Sequence, residues 1–498
     1  MPKIKKLLVA NRGEIALRIM RTAQEMGIST VAVYSEADRL SPHVRFADEA
    51  VCLGPPPSNQ SYLLGDKIIQ VCKELGVDAI HPGYGFLSEN AEFARKVSKA
   101  ELIFIGPSPD SIEVMGSKLA AKQAVAKYDI PLVPGTEEAI SDIPVAKKRA
   151  AEIGYPILIK ASAGGGGKGM RIVESESEFE EQMNRAVSEA QSSFGDGAVF
   201  IEKFITSPRH IEIQILGDQH GNTVYLFERE CSIQRRHQKV IEEAPSAVVT
   251  PEMRMAMGEA AVGVAKACNY YGAGTVEFIV DDKLNFYFLE MNTRLQVEHP
   301  VTEMITGKDL VREQILVAEG NPLSFAQEDL KIHGHSVEIR VYAEDPKNNF
   351  LPDIGKLITY RRPQGPGIRV DDGFEEGMDI PIYYDPMIAK LITHGENRQD
   401  AIDRMIRAIN DYRITGIQTT LDFCRFALQH EAFVSGNFDT KFVEQYFTPD
   451  KLIFEFTDEE KELLAALAVE FFQKEENIVN PTQPLNAIPT TNWKNRLV

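Results

Sequence analysis

The sequence predicts two kinds of architecture in one chain: a parallel α/β layer first, and an α+β unit with a mixed, sheet-rich fold after it. Three observations carry this. Between Lys6 and Tyr34 a short apolar run (Leu7, Leu8, Val9) precedes Gly13–Met26, whose apolar residues recur at helical spacing. Gly27 stops that helix, and Thr30–Tyr34 is β-branched and alternating. Two further strands are predicted at Ala79–His81 and Ile103–Ile105 with helical stretches between them, and such alternation implies a parallel sheet with its site at the strand ends. Further on, Thr275–Val280 and Asn285–Glu290 read as the strands of a hairpin that turns at Asp281–Leu284.

The chain has 498 residues, with 54 Lys+Arg against 73 Asp+Glu and a formal net charge of −19. At roughly 150 residues per domain, that length suggests about three domains. Hydrophobic residues make up 43% and charged residues 26%, the balance of a globular protein with a full core. The acidic excess argues against binding nucleic acid or a membrane surface, since both need basic patches. Cys52, Cys72, Cys231, Cys268 and Cys424 are widely spaced and form no CxxC pair. That pattern speaks against a zinc ribbon or disulfide framework and for a reducing compartment. The longest apolar run, Leu463–Val469, falls far short of the ~18 residues of a membrane-crossing helix. The N-terminus lacks the apolar core and cleavage site of a secretory signal. A cytoplasmic location is expected.

The first unit is placed at residues 1–115. Its first turn, Asn11-Arg12-Gly13-Glu14, has one glycine where a dinucleotide fingerprint has three, so NAD is not expected there. Pro131–Gly135 reads as a linker into a second unit, 132–205. Within it, Tyr155–Lys160 and Met170–Val173 are predicted strands on either side of Ala161-Ser162-Ala163-Gly164-Gly165-Gly166-Gly167-Lys168-Gly169. That loop meets GxGxxG by count, but no helix opens after it, and Gly169 stands where a P-loop needs Ser or Thr. A glycine-rich hairpin remains. Without Cβ atoms its N–H groups can cradle phosphates, Lys160 and Lys168 add charge, and the hairpin suits a flap closing on ATP. A plain surface turn is the competing reading.

The third unit is placed at 206–447 and carries a polar face. The hairpin sets Glu277 opposite Glu290. Two adjacent carboxylates repel, and a divalent cation relieves this; Mg2+ (or Mn2+) takes one or two carboxylates plus substrate phosphates. Glu290, Asn292, Arg294, Gln296 and Glu298 fall at every second position. If extended, the segment puts all five on one face. Arg294 has the planar fork that holds bicarbonate or another carboxylate, and Glu298 can act as a base. Arg209–Gln214 is another alternating strand. Cys231–Val240, with Arg235, Arg236, His237 and Lys239, is basic within an acidic chain and marks an anion site. Solvated faces are the ordinary alternative, but these residue types together favour function.

With those residues assembled, the chain resembles the biotin carboxylase component of biotin-dependent acetyl-CoA or acyl-CoA carboxylases, in the ATP-grasp superfamily. The resemblance covers about residues 3–447. It rests on Ala10-Asn11-Arg12-Gly13-Glu14-Ile15-Ala16, His81–Asn90, the glycine loop, Gln234–Lys239 and Phe288–Pro300, which reads FLEMNTRLQVEHP. It implies an ATP-grasp fold with an N-terminal parallel α/β domain and a C-terminal mixed β domain. It also implies that Lys118, Lys160, Gly165, Gly166, Gly167, Glu202, Lys203, Ile205, His210, Gln234 and His237 hold ATP. Glu277, Glu290 and Asn292 would hold Mg2+, and Lys239, Arg294, Gln296, Val297 and Glu298 would bind bicarbonate. Tyr84, Gly85 and Arg340 would meet biotin. In the implied chemistry Glu298 deprotonates bicarbonate for attack on the γ-phosphate, and carboxyphosphate breaks down to CO2 and phosphate. The phosphate takes the biotin N1 proton, and Arg340, on the predicted strand Ser336–Tyr342, stabilises the enolate. Lys239 and Arg294 complete the catalytic set. Such chemistry needs charge neutralisation and a water-poor site more than covalent help.

The implied partners are bicarbonate, a biotin carboxyl carrier protein, a carboxyltransferase subunit and a second copy of the chain in a homodimer. Carrier domains present biotin on the Lys of a Met-Lys-Met motif, and the sequence has no Met-Lys pair. A separate subunit that receives biotin from another protein is therefore expected. In the tail, 448–498, Thr457-Asp458-Glu459-Glu460 is a capping-box signature. The helix it opens has Leu463, Leu464, Leu467, Phe471 and Phe472 on one face, to dock a partner subunit or to pack on its own domain. Another ATP-grasp ligase, carbamoyl-phosphate-forming or amino-acid, and a regulatory subunit without turnover are the alternatives. The presence of Lys239, Glu298 and Arg340 speaks against the last.

Overall fold

Lys6–Val9 (β1), Ser29–Ser35 (β2), Glu49–Gly54 (β3), Ala79–His81 (β4) and Ile103–Phe104 (β5) form a parallel sheet in the order β3-β2-β1-β4-β5. The structure, a computed structural model, describes residues 3–136, 138–161, 170–194, 197–453 and 457–478. Leu7, Leu8 and Val9 are each fully buried, because a parallel sheet is covered on both faces and its strands read as continuous apolar runs. The strand order reverses between β1 and β4, and the loops leaving those strands define a crevice suited to a ligand. Asn11 ties the two loops together: its Nδ2 donates to the carbonyls of Pro82 (2.8 Å) and Tyr84 (2.7 Å). Gly83 has φ +63°, and a Cβ there would lie 2.9 Å from that same nitrogen, so glycine lets the asparagine approach.

Ile157–Ala161 (β6), Met170–Val173 (β7) and Val199–Lys203 (β8) form an antiparallel sheet with β6 in the middle. It packs on its own core, which includes Ile157, Ile159, Val173, Phe179, Val199 and Ile201. The two predicted strands flanking the glycine loop are β6 and β7. The loop itself, with Gly165, Gly166 and Gly167, lies outside the described residues.

The large sheet is antiparallel throughout. Arg209–Gly217 (β9), Thr223–Arg235 (β10), Gln238–Ala244 (β11), Gly272–Val280 (β12), Phe286–Asn292 (β13) and His335–Tyr342 (β14) supply six of its strands. Short ribbons follow, Glu344–Asp345 (β15) with Leu351–Pro352 (β16), and Thr359–Arg361 (β17) with a later strand. Ile368–Asp372 (β18) and Met387–Gly395 (β19) then complete the order β13-β12-β9-β10-β11-β14-β19-β18, and Arg413–Thr415 (β20) pairs with β17. Glu277 stands opposite Glu290 in the β12–β13 ladder, where an irregularity between Glu277 and Phe278 shifts the register by one residue.

One expectation fails here. The segment from Glu290 to Glu298 is not extended throughout: β13 ends at Asn292, and Glu298 is the N-cap of the helix His299–Thr306. Pro300 suits the first turn of a helix, where its missing N–H costs nothing. Leu295, fully buried, joins the apolar cluster of Leu7, Val9, Ile15, Leu216 and Ala273. Arg294, Gln296 and Glu298 therefore reach the site from a turn pinned by that core.

The chain divides into two units, Met1–Pro449 and Asp450–Val498. In the second, Thr457 and Glu460 close the expected capping box: the Thr457 N–H donates to Glu460 Oε2 (2.8 Å) and the Glu460 N–H to Thr457 Oγ1 (3.3 Å). The helix Asp458–Ile478 exposes Leu463, Leu464, Leu467 and Phe472; the Phe471 side chain lies outside the described residues. All five cysteines are free thiols. Among the described residues no helix is long and apolar enough to cross a membrane.

Candidate active site

A cavity of about 890 Å³ opens over the polar face of the large sheet. The sheet contributes His210, Gln234, Lys239, Glu277, Glu290, Asn292 and Arg340, the turn after β13 adds Arg294, Gln296 and Val297, and His237 stands at the β10–β11 turn. The loops at the switch point of the first sheet contribute Tyr84 and Gly85, with Asn11, Arg12 and Glu14.

Lys239 is the hub of the charges. Its ammonium donates to Glu277 Oε1 (2.9 Å), to Glu298 Oε1 (2.7 Å) and to Glu212. Burial works against a charged lysine, yet the three carboxylates outweigh it and hold its pKa well above the ordinary lysine value. Glu298, fully buried, also accepts from Arg340 Nη2 (3.0 Å). Burial alone would push this carboxyl up, but Lys239, Arg340 and Arg229 hold it well below the usual glutamate range. It is an ionised carboxylate beside the cavity. Arg340 is braced by Glu242 Oε1, which accepts from its Nε (2.6 Å). Arg229, fully buried, donates to Glu212 Oε1 (2.5 Å), Gln214 Oε1 (2.8 Å), Thr302 Oγ1 (2.8 Å) and Thr275 Oγ1 (3.0 Å).

Glu277 is drawn on from several sides. Its Oε2 lies 2.8 Å from His210 Nε2, and its Oε1 also accepts from Asn292 Nδ2 (2.8 Å) and Gln296 Nε2 (3.3 Å). Glu277, Glu290 and Asn292 place two carboxylates and an amide on one wall of the cavity, with Glu277 and the Asn292 oxygen engaged by neighbouring side chains. That is a hard oxygen donor set, which fits Mg2+ or Mn2+. Arg294 has its fork fixed by Glu89 Oε2 (from Nε, 2.8 Å), Gln296 Oε1 (from Nη1, 2.9 Å) and Asn292 Oδ1 (from Nη2, 3.0 Å). The Tyr84 hydroxyl donates to Glu14; burial and that neighbouring carboxylate hold the phenol protonated, far above its ordinary pKa.

Of the nucleotide residues expected on the second unit, Lys160, Glu202 and Lys203 belong to the three-stranded sheet and are not among the described residues that line this cavity. Glu202 on β8 is clasped by Lys160 and Lys122; burial opposes its ionisation, but the two ammonium groups hold its pKa below the usual value. Lys203, its neighbour on the strand, faces the other way and donates to the carbonyls of Gly154 and Tyr155, each at 2.9 Å. Ile205 is half-buried in the loop after β8, and Lys118 opens the helix Lys118–Val125, its side chain outside the described residues. Sequence reasoning missed Lys122, Glu212, Arg229, Glu242 and the role of Glu14. The alternation of His210, Glu212 and Gln214 along a strand was a usable signal for Glu212. Arg229 and Glu242 gave none, because each is partnered only across strands.

Residues 3–112 match the family described as biotin carboxylase, N-terminal domain, residues 117–326 the carbamoyl-phosphate synthase L chain, ATP binding domain, and residues 338–445 the biotin carboxylase C-terminal domain. Biotin carboxylase 1 of Bacillus subtilis (strain 168) is 53% identical over 444 residues, which cover 89% of this chain and 99% of that protein. The chain belongs to the biotin carboxylase family. As a biotin carboxylase it is an ATP-dependent ligase, built on the ATP-grasp fold that the sequence led us to expect. It is also 53% identical over 469 residues to the mitochondrial propionyl-CoA carboxylase alpha chain of Homo sapiens, matching 94% of this biotin carboxylase but 64% of the human chain. The biotin carboxylase domain dimer of Hydrogenobacter thermophilus 2-oxoglutarate carboxylase, solved with MgADP, ADP and bicarbonate, aligns with a TM-score of 0.83 at 46% identity. That alignment covers 92% of this chain and 100% of that domain.

Proposed function

We propose that this biotin carboxylase uses ATP and bicarbonate to carboxylate N1 of biotin presented by a carrier protein, as the first half-reaction of an acetyl-CoA or propionyl-CoA carboxylase. The observation that carries the reading is Glu298, a buried, ionised carboxylate held between Lys239 and Arg340 at the edge of the cavity. Lys118, Lys160, Glu202, His210, Gln234, His237, the glycine loop and the chain around Lys203 and Ile205 bind the nucleotide. Mg2+ held by Glu277, Glu290 and Asn292 would neutralise phosphate charge when bound. Bicarbonate lies against Lys239, Arg294, Gln296 and the Val297 backbone, and Glu298 takes its proton. The same cations that keep Glu298 ionised make it a weak base. As bicarbonate draws on Lys239 and Arg340, the carboxylate regains basicity where the proton must go.

A bicarbonate oxygen then attacks the γ-phosphorus and expels ADP, and the carboxyphosphate so formed breaks its C–O bond to give CO2 and phosphate. The phosphate takes the N1 proton of biotin, Arg340 neutralises the resulting enolate, and N1 attacks CO2 beside Tyr84 and Gly85. A carboxyltransferase and a second copy of the chain are the further partners; the dimeric related domain supports the latter. The test is ADP release by the purified protein. It should require bicarbonate and rise on addition of free biotin. ADP release indifferent to both would point to another ATP-grasp ligase.

A further inference from the structure

Lys390 lies on β19, fully buried, and no step above uses it. A buried ammonium is costly unless its charge is matched and its donors are satisfied. Its Nζ donates to the Val297 carbonyl (2.9 Å) and lies 3.3 Å from Glu14 Oε2 and 3.9 Å from Asp371 Oδ2. Asp371 is already engaged by both arms of Arg369, at 2.9 and 2.7 Å. The nearby Glu338 is buried with neither carboxyl oxygen hydrogen-bonded among the described residues, and burial holds it protonated. Glu14 is the nearer of the two carboxylates, and its other oxygen accepts from the Tyr84 hydroxyl.

We propose that Lys390 is a positioning residue that sets the spacing between the bicarbonate and biotin subsites. Its one ammonium holds the Val297 carbonyl, and with it the peptide leading to Glu298, and through Glu14 it holds the Tyr84 hydroxyl. The inference rests on the proposed assignment of those two subsites. CO2 released on one side must meet N1 on the other before it escapes, and reacting groups must stand within about 3–3.5 Å, where a misplacement of about 1 Å can cost about a hundredfold. The turn after β13 and the loop after β4 belong to different sheets, and Lys390 ties both to a strand in the middle of the large sheet's far end.

The experiment measures the KM values for ATP, bicarbonate and free biotin, and the ATP hydrolysed per carboxybiotin formed, in the full chain. In Lys390→Met the KM values for bicarbonate and biotin should each rise on the order of tenfold. The KM for ATP should hold, and more ATP should be spent per carboxybiotin. In Glu14→Gln only the biotin side of the link is weakened, so the biotin KM should rise while that for bicarbonate stays. A folded Lys390→Met protein with wild-type KM values and coupling ratio, or with all three KM values raised together, would show a merely structural lysine and overturn the inference. Should Lys390→Met fail to fold, Glu14→Gln decides: no change, or equal rises for bicarbonate and biotin, overturns it. The wild-type chain is assayed alongside. Absence of bicarbonate-dependent ATP hydrolysis there would refute the function itself, and the inference with it.

Discussion

The two walls of the cavity are held by different forces. The sheet wall is a lattice of buried charge, in which Lys239, Arg229 and Arg340 are each partnered by carboxylates from other strands. The loop wall joins neutral hydrogen bonds, Asn11 to the backbone of Pro82 and Tyr84 beside a glycine that lets them form, to separate ion pairs such as Arg12 with Asp38. The difference follows from the chemistry each must do. Charge moves at the sheet wall, where fixed dipoles and ions in a dry site act strongly and need no reorganisation. On the proposed reading, the loop wall has only to present the flat, uncharged ring of biotin. Their failure modes should differ accordingly, because removing one ion from a lattice leaves another buried and unpaired.

The sharpest break is Glu298→Gln. It should lower biotin carboxylation by about a hundredfold to ten-thousandfold, the range for losing a general base, while the ATP dissociation constant changes little; fixation of labelled bicarbonate and calorimetric ATP binding measure the two. Next is Arg229→Met, which touches no substrate but leaves Glu212 with Lys239 alone and Gln214, Thr275 and Thr302 without their donor. It should destabilise the fold by about 3–5 kcal/mol, read as a shift in urea midpoint. On the loop wall, Asn11→Ala leaves two carbonyls without their donor and should cost about 1–3 kcal/mol, with a rise in the KM for biotin but not for ATP. The smallest effect is expected for Glu338→Gln, and its sign depends on pH. Burial raises the folded-state pKa of Glu338 above its unfolded value, so the unfolded chain releases the proton first and wild-type stability from this group falls as pH rises above about 4.5. The amide removes that loss. The variant should match wild type near pH 4 and be the more stable of the two at higher pH in urea melts.

Much of this was legible in the sequence, for local reasons. Leu7, Leu8 and Val9 announced a covered parallel strand because all three are apolar, and the turn residues after Val280 announced the hairpin, while the pairing of Glu277 with Glu290 also needs a register shift beside Glu277. The run from Glu290 to Glu298 misled because alternating polar and apolar residues also suit a turn whose apolar members, such as Leu295, plug a neighbouring core. Arg229, Glu242 and Lys390 could not be read as a group. Each is a charge inside a sheet, partnered by residues distant in sequence, and no local pattern records that.

If Glu298 activates bicarbonate as the nucleophile toward the γ-phosphate, one bicarbonate oxygen must end in inorganic phosphate. The direct measurement is turnover with oxygen-18-labelled bicarbonate and mass spectrometry of the released phosphate. The wild-type enzyme should place one labelled oxygen in each phosphate, and Glu298→Gln should release essentially none. Unlabelled phosphate from an enzyme that is turning over would contradict this, because it would mean that water, not bicarbonate, receives the phosphoryl group.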